Sequence, residues 1–228
     1  MQVMKKMLTR IEVINQALSF KGYWGNPNQF TKWYCKDNQT HAWCGMFVDY
    51  VFKKELNSDW LDTCSNFAYV PTIVSWAKKY GYWCEDYKKA KAGDLVVYNW
   101  KPTEKHYSHV GIVKYVKSNS IVSIEGNTTN GAKQNCVAQK ERNKKYVAGV
   151  VLLPYVTQYN LTRKLKKGCK GTDVGELQCV LGGLDPDMKF GNVTKSKTKA
   201  YQKSHKLTVD GVVYKQTAHS LGWLYNGK

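Results

Sequence analysis

The chain has 228 residues, 43% of them hydrophobic, and a formal net charge of +18 at pH 7. This length suits one large domain or two small ones, and the apolar content is enough to bury a sizeable core. No apolar run reaches the length of a transmembrane helix, so no transmembrane span and no membrane insertion are expected.

In 1–157, twenty-two basic residues stand against twelve acidic; in 158–228, thirteen against five. Both halves are basic, so the charge belongs to the whole surface and favours polyanionic partners: nucleic acid, anionic lipid, or a bacterial wall bearing teichoic acids and peptide carboxylates. The lysines are dispersed. No continuous basic helix, zinc finger or RNA-binding aromatic motif appears, so no specific nucleic-acid partner is expected.

The first predicted element is a helix over 9–21. Thr9 and Glu12 form a capping box, and Ile11, Ile14 and Leu18 recur at helical spacing as its buried stripe. Lys5 and Lys6 precede it, but Arg10, Glu12, Asn15 and Gln16 break any apolar core of a signal peptide. Seven cysteines, an odd number scattered without a CxxC, argue against a disulfide framework. A structural zinc knot is not expected either. Cys35, His41 and Cys44 are the nearest approach to a ligand set, and their spacing fits no usual pattern.

The next predicted helix runs over 44–55, where Phe47, Val48, Val51 and Phe52 recur at helical spacing behind "HAWC". Cys44 falls in its first turn, where partial positive charge and free N–H groups favour a thiolate. A third helix is read in "VPTIVSWAKKYGYW" (70–83). The period then changes from 3.6 to 2, and strands are predicted at 93–100, 108–116, 120–127 and 146–155. Helices followed by an antiparallel meander imply an α+β fold. A linker is expected near 155–162, with a small helical domain after it.

A reactive cysteine needs a base and a group to orient that base. His109 lies inside the strand "SHVGIVKYV", and the following strand ends in "IEGN", with Glu125 and Asn127. A hairpin with a three-residue loop centred on Ser118 sets paired positions facing His109 with Asn127 and places Glu125 diagonally on the same face. A two-residue loop would shift the pairing by one and turn the histidine away. The alternatives are a structural His–Glu pair, or a metal amidase using His106 and His109 with a cysteine, for which no convincing third ligand is spaced.

Taken in order, "WCGMFVDYV", "GDLVVY", "SHVGIV" and "IEGNT" resemble the CHAP family of papain-like cysteine amidohydrolases and peptidases that cut bacterial peptidoglycan. The resemblance covers roughly residues 8–155. It implies Cys44 as nucleophile, His109 as base, Glu125 as orienting acid and Asn127 as an auxiliary polar residue. Some members carry an acidic calcium loop ahead of the cysteine. Here "YCKDNQTHAWC" has only Asp37 acidic, so no calcium and no other cofactor or metal is expected. Gln39 or Asn38 is a candidate oxyanion-hole side chain, beside the backbone N–H of Cys44.

Residues 161–223 resemble the peptidoglycan-binding type 1 module, a three-helix unit. Gly168, Gly171, Val174, Leu177, Gln178 and Leu181 carry its first signature. Phe190-Gly191, Thr194, Tyr201-Gln202 and Asp210-Gly211 carry the second, and Thr217 and Leu221 the third. Met188 stands where a glycine is usual, and Tyr214 replaces another.

The expectation is a phage-type endolysin with a papain-like α+β domain at 1–157 and a three-helix domain at 158–228. It would cleave an N-acetylmuramoyl-L-alanine amide or a peptide cross-link. It would bind peptidoglycan and anionic wall polymers as a monomer, being made in the bacterial host cytoplasm without a signal peptide and acting on the wall after release. The competing reading is a non-catalytic basic wall-binding protein in which Cys44 is structural.

Overall fold

The computed structural model describes residues 8–104, 106–155 and 158–227. Residues 1–7, which include Lys5 and Lys6, and residues 156–157, where the domain boundary is expected, lie outside these. Helix α1 spans Arg10–Ser19 and opens on the expected capping box: the Thr9 side chain accepts from the Glu12 N–H, and the Glu12 carboxylate accepts from the Thr9 N–H at 2.9 Å. Helix α2 (Gln29–Cys35) is too short to show a period and escapes sequence reading. Its signal is Asn28, whose side chain accepts from the N–H groups of Phe30 and Thr31. Helix α3 (Cys44–Asp49) carries the cysteine and continues as a π-turn over Tyr50–Glu55, so the expected 44–55 helix is present with its second half widened. Helix α4 (Val70–Lys79) follows.

The strands are β1 (Trp83–Cys84), β2 (Leu95–Tyr98), β3 (His109–Val116), β4 (Ser120–Asn130), β5 (Lys133–Asn143) and β6 (Val147–Val151). They form one antiparallel sheet in the order β1-β6-β2-β3-β4-β5. Strand β5 is absent from the sequence reading. It is an edge strand rich in charge, with only Cys136, Val137 and Ala138 buried, so it shows no alternating stripe. The core lies between the sheet and the helices, where Phe30, Trp43, Phe47 and Phe52 are fully enclosed. Gly126 of β4 sits under α3: a Cβ there would come within 2.5 Å of Phe47 Cβ and 2.7 Å of Trp43 Cζ3. The absence of a side chain lets the strand press against the helix that carries Cys44.

The C-terminal part holds β7 (Asn160–Leu161), α5 (Thr172–Leu181), α6 (Asn192–Ser204), α7 (Lys215–Ser220) and β8 (Leu224–Tyr225), with β7 and β8 paired in parallel. Its own core contains Leu161, Leu165, Val174, Leu177, Phe190, Val213 and Trp223. Two glutamines repeat one device. Gln178 Nε2 donates to Asp187, the Lys189 carbonyl and Thr194, and Gln202 Nε2 donates to Asp210, the Val212 carbonyl and Thr217. Each thereby ties a helix to the turn after it.

This part packs against the rest of the chain. The buried Glu176 carboxylate accepts from the Ile11 N–H at 2.9 Å, and Cys179 belongs to the N-terminal core. Met188 takes a left-handed φ of 59° while its side chain packs against that same core. A Cβ on Gly175 would fall 2.8 Å from both Ile11 and Met188, so the helices α1 and α5 meet where a glycine permits it. No helix among the described residues is long and apolar enough to cross a membrane.

Candidate active site

Cys44 begins α3, His109 begins β3 and Glu125 lies in β4, and all three are buried, at 4%, 6% and 0% exposure. The β3–β4 pairing that aligns them arises differently from the expectation. Lys117 N–H donates to the Ser120 carbonyl, closing a two-residue turn, and Val116 pairs with Ile121 and Tyr115 with Val122. That register alone would turn His109 to the other face. A bulge between Val113 and Tyr115 inserts Lys114 as an extra residue, and beyond it Val113 pairs with Ser123 and Ile112 with Ile124. The bulge therefore restores the pairing that the three-residue loop was invoked to give. Lys114 points away to Gln139 Oε1 at 2.9 Å and to Asp185 of the C-terminal part at 2.8 Å.

His109 Nε2 lies 3.1 Å from Glu125 Oε2, and a side-chain hydrogen bond also joins the ring to Cys44. The three groups shift one another. Burial by itself raises the Cys44 thiol, but the His109 charge and hydrogen bond, with the N–H groups of Val110 and Gly45, overcome it and hold the thiol below its ordinary value. Burial likewise opposes the His109 cation, yet Cys44 and Glu125 raise its pKa to about 10. Glu125 is lowered to about 2: burial works against its charge, and the hydrogen bonds and charges of His109 and Arg142 prevail. Each shift favours the charged form of its group, a thiolate beside an imidazolium beside a carboxylate.

Four further residues complete the cluster, and sequence reasoning does not find them. Arg142 donates to both Glu125 oxygens, Nε to Oε1 at 3.1 Å and Nη2 to Oε2 at 2.7 Å. Ser123 Oγ donates to Glu125 Oε1 at 2.7 Å and lies 2.7 Å from the Tyr98 hydroxyl. Trp100, 38% exposed, covers the site from outside, its ring 5.7 Å from His109 and 4.9 Å beneath the Arg142 guanidinium. The one available signal for Arg142 is alternation in β5, which sets Ala138, Lys140 and Arg142 on the Glu125 face once the strand is known.

Asn127 sits at a second irregularity of β4, half-buried with a left-handed φ of 53°. Among the described residues no hydrogen bond joins its side chain to His109. Asn38 and Gln39 are exposed on the loop before Cys44, where the Gln39 N–H donates to Asp37 Oδ1 at 2.9 Å. Among the described residues neither of their side chains bonds to Cys44. His106 lies in the loop before β3 and joins no metal-ligating cluster among the described residues. Cys35, Asp37 and His41 do form one, without Cys44.

A family model of the CHAP domain matches residues 36–127, which hold Cys44, His109 and Glu125. A second, for a putative peptidoglycan binding domain, matches 170–221. The chain carries a CHAP domain followed by a peptidoglycan-binding domain. Among curated proteins none matches the chain. The chain has a slight likeness to a crystal structure of a periplasmic domain of the EpsAB fusion protein of the Vibrio vulnificus type II secretion system, at 14% identity and a TM-score of 0.27. The match covers 56% of this chain and spans about half, 55%, of that one.

Proposed function

We propose that the chain is a cysteine-dependent endolysin in which residues 1–157 cut an amide of peptidoglycan and residues 158–228 hold the wall. The buried His109, hydrogen-bonded to Cys44 on one side and to Glu125 on the other, carries this reading. The Cys44 thiolate attacks the amide carbonyl carbon, and the carbonyl electrons move onto oxygen. In this reading the Cys44 backbone N–H, with Gln39 or Asn38 swung inward, donates to that oxyanion. The tetrahedral adduct collapses as the C–N bond breaks, and the leaving nitrogen takes the proton of the His109 imidazolium. His109, now neutral, takes a proton from water, whose oxygen attacks the thioester and frees the thiolate. Glu125 stays ionised throughout and holds the ring, with Asn127 as an auxiliary polar group at the strand irregularity. The amide is either the N-acetylmuramoyl-L-alanine bond or a peptide cross-link, since both present the same carbonyl. The basic surface adds attraction to anionic wall polymers, and the protein works as a monomer.

Purified walls treated with the full chain and with Cys44→Ser test the reading. The wild type should clear the suspension and release muropeptides whose masses identify the bond. The folded variant should release none. Equal release by both would show that the cleavage does not depend on Cys44, and no release by either would leave Cys44 structural and the protein a wall binder.

A further inference from the structure

The loop that leads into the nucleophile carries a second cluster. Cys35 closes α2, and Asp37 and His41 follow, with His41 three residues before Cys44. The thiol sulfur, a carboxylate oxygen and a ring nitrogen all lie within 4.8 Å of one another. His41 Nε2 is 3.0 Å and 3.1 Å from the two Asp37 oxygens. The side chains of His41 and Asp37 are 30% and 40% exposed, so an ion has a way in.

We propose that Cys35, Asp37 and His41 bind a divalent transition metal of the zinc class and thereby pin the loop ahead of the nucleophile. A thiolate, a carboxylate and an imidazole are the donors zinc takes, and three of them leave a fourth position for water. Calcium fits poorly: it takes six to eight oxygen ligands, and of these three side chains only Asp37 offers oxygen. Tetrahedral bonds of about 2.0–2.3 Å set donor atoms roughly 3.5 Å apart, so closure on the order of 1 Å suffices.

The surroundings already orient the ligands. The Gln39 N–H donates to Asp37 Oδ1. Asn26 grips His41 from both sides, its Nδ2 donating to the His41 carbonyl at 2.8 Å and its Oδ1 accepting from the His41 N–H at 3.2 Å. Met46, buried on α3 two residues after Cys44, places its sulfur 3.9 Å from Cys35 Sγ. Such outer contacts fix ligand direction before the ion arrives. Binding replaces the Cys35 S–H bond by a metal–sulfur bond and releases one proton to solvent, with no change of oxidation state. The ion then ties the end of α2 to the backbone three residues from the nucleophile.

Cobalt(II) is the probe, added to the full-length chain kept reduced with a non-thiol reductant. One equivalent should produce tetrahedral ligand-field bands and a thiolate charge-transfer band, and zinc should displace it. Cys35→Ser should remove the charge-transfer band. His41→Gln, at a half-exposed position, should weaken binding by at least about 100-fold. Cys44→Ser should leave the spectrum unchanged. The proposal is overturned if no tetrahedral spectrum forms, if it survives Cys35→Ser, or if Cys44→Ser abolishes it, which would put the ion on the nucleophile.

Discussion

Glu125→Gln keeps the shape of a fully buried side chain and removes its charge. In the native protein that carboxylate takes hydrogen bonds from His109, Ser123 and twice from Arg142. Its pKa falls from 4.5 to about 2. At about 1.4 kcal/mol per unit, the ionised form is favoured by roughly 3 kcal/mol, shared between His109 and Arg142. Because the folded value is depressed, this stabilisation is fully present above about pH 4.5 and is lost as pH falls towards 2. The amide leaves Arg142 without its anionic partner, and breaking a buried pair costs about 3–5 kcal/mol. Urea unfolding of wild type and variant at a series of pH values should show a gap of that order at pH 6 that shrinks by roughly 3 kcal/mol between pH 4.5 and 2. Turnover should fall about 10–10³-fold, less than the ~10⁴ seen when a serine-protease triad loses its acid, since a thiolate needs less help from its base. His109, held at about 10 in part by Glu125, should titrate lower, bringing the alkaline limb of the rate profile down in pH. A stability gap that does not vary with pH, together with wild-type turnover and an unmoved alkaline limb, would refute the role given to Glu125.

Arg142→Gln should raise the Glu125 pKa and move the acid unfolding midpoint upward while leaving Cys44 alkylation intact; an unmoved midpoint would show that the guanidinium does not support the carboxylate. At pH 6, limited iodoacetamide treatment followed by peptide mass mapping should label Cys44 ahead of Cys35, Cys64, Cys136 and Cys179, whose thiols burial pushes up, and His109→Ala should erase that preference. Residues 1–157 alone lose the burial that Cys179 and Met188 provide and the Glu176 cap on Ile11, so calorimetry should find them destabilised by about 3 kcal/mol relative to the full chain, which should melt in one transition; equal melting temperatures would mean the docking contributes nothing. Wall binding by the full chain should weaken steeply from low to physiological salt in a cosedimentation assay, because dispersed surface charge is screened; salt-independent binding would place recognition in uncharged contacts.

The sequence by itself determined the features that depend on neighbours within a few residues. The Thr9–Glu12 capping box starts α1, helical spacing behind Cys44 puts it at a helix start, and alternation in 93–100 and 108–116 marks β2 and β3. The cysteine, the histidine and the glutamate were legible as a set because a period of 2 leaves His109 and Glu125 as polar residues on apolar strands. Only the tertiary structure decided how they meet. The turn after β3 has two residues rather than three, and the Lys114 bulge, which no local pattern signals, resets the register. It also decided that charged β5 is a strand, because an edge needs little apolar burial, and so that Arg142 reaches Glu125 from the neighbouring strand. The docking of α5 on α1 was hidden for the same reason. Gly175, Glu176 and Met188 make sense only opposite Ile11, a residue more than 160 positions away in the chain, and spacing within one segment holds no information about a partner at that distance.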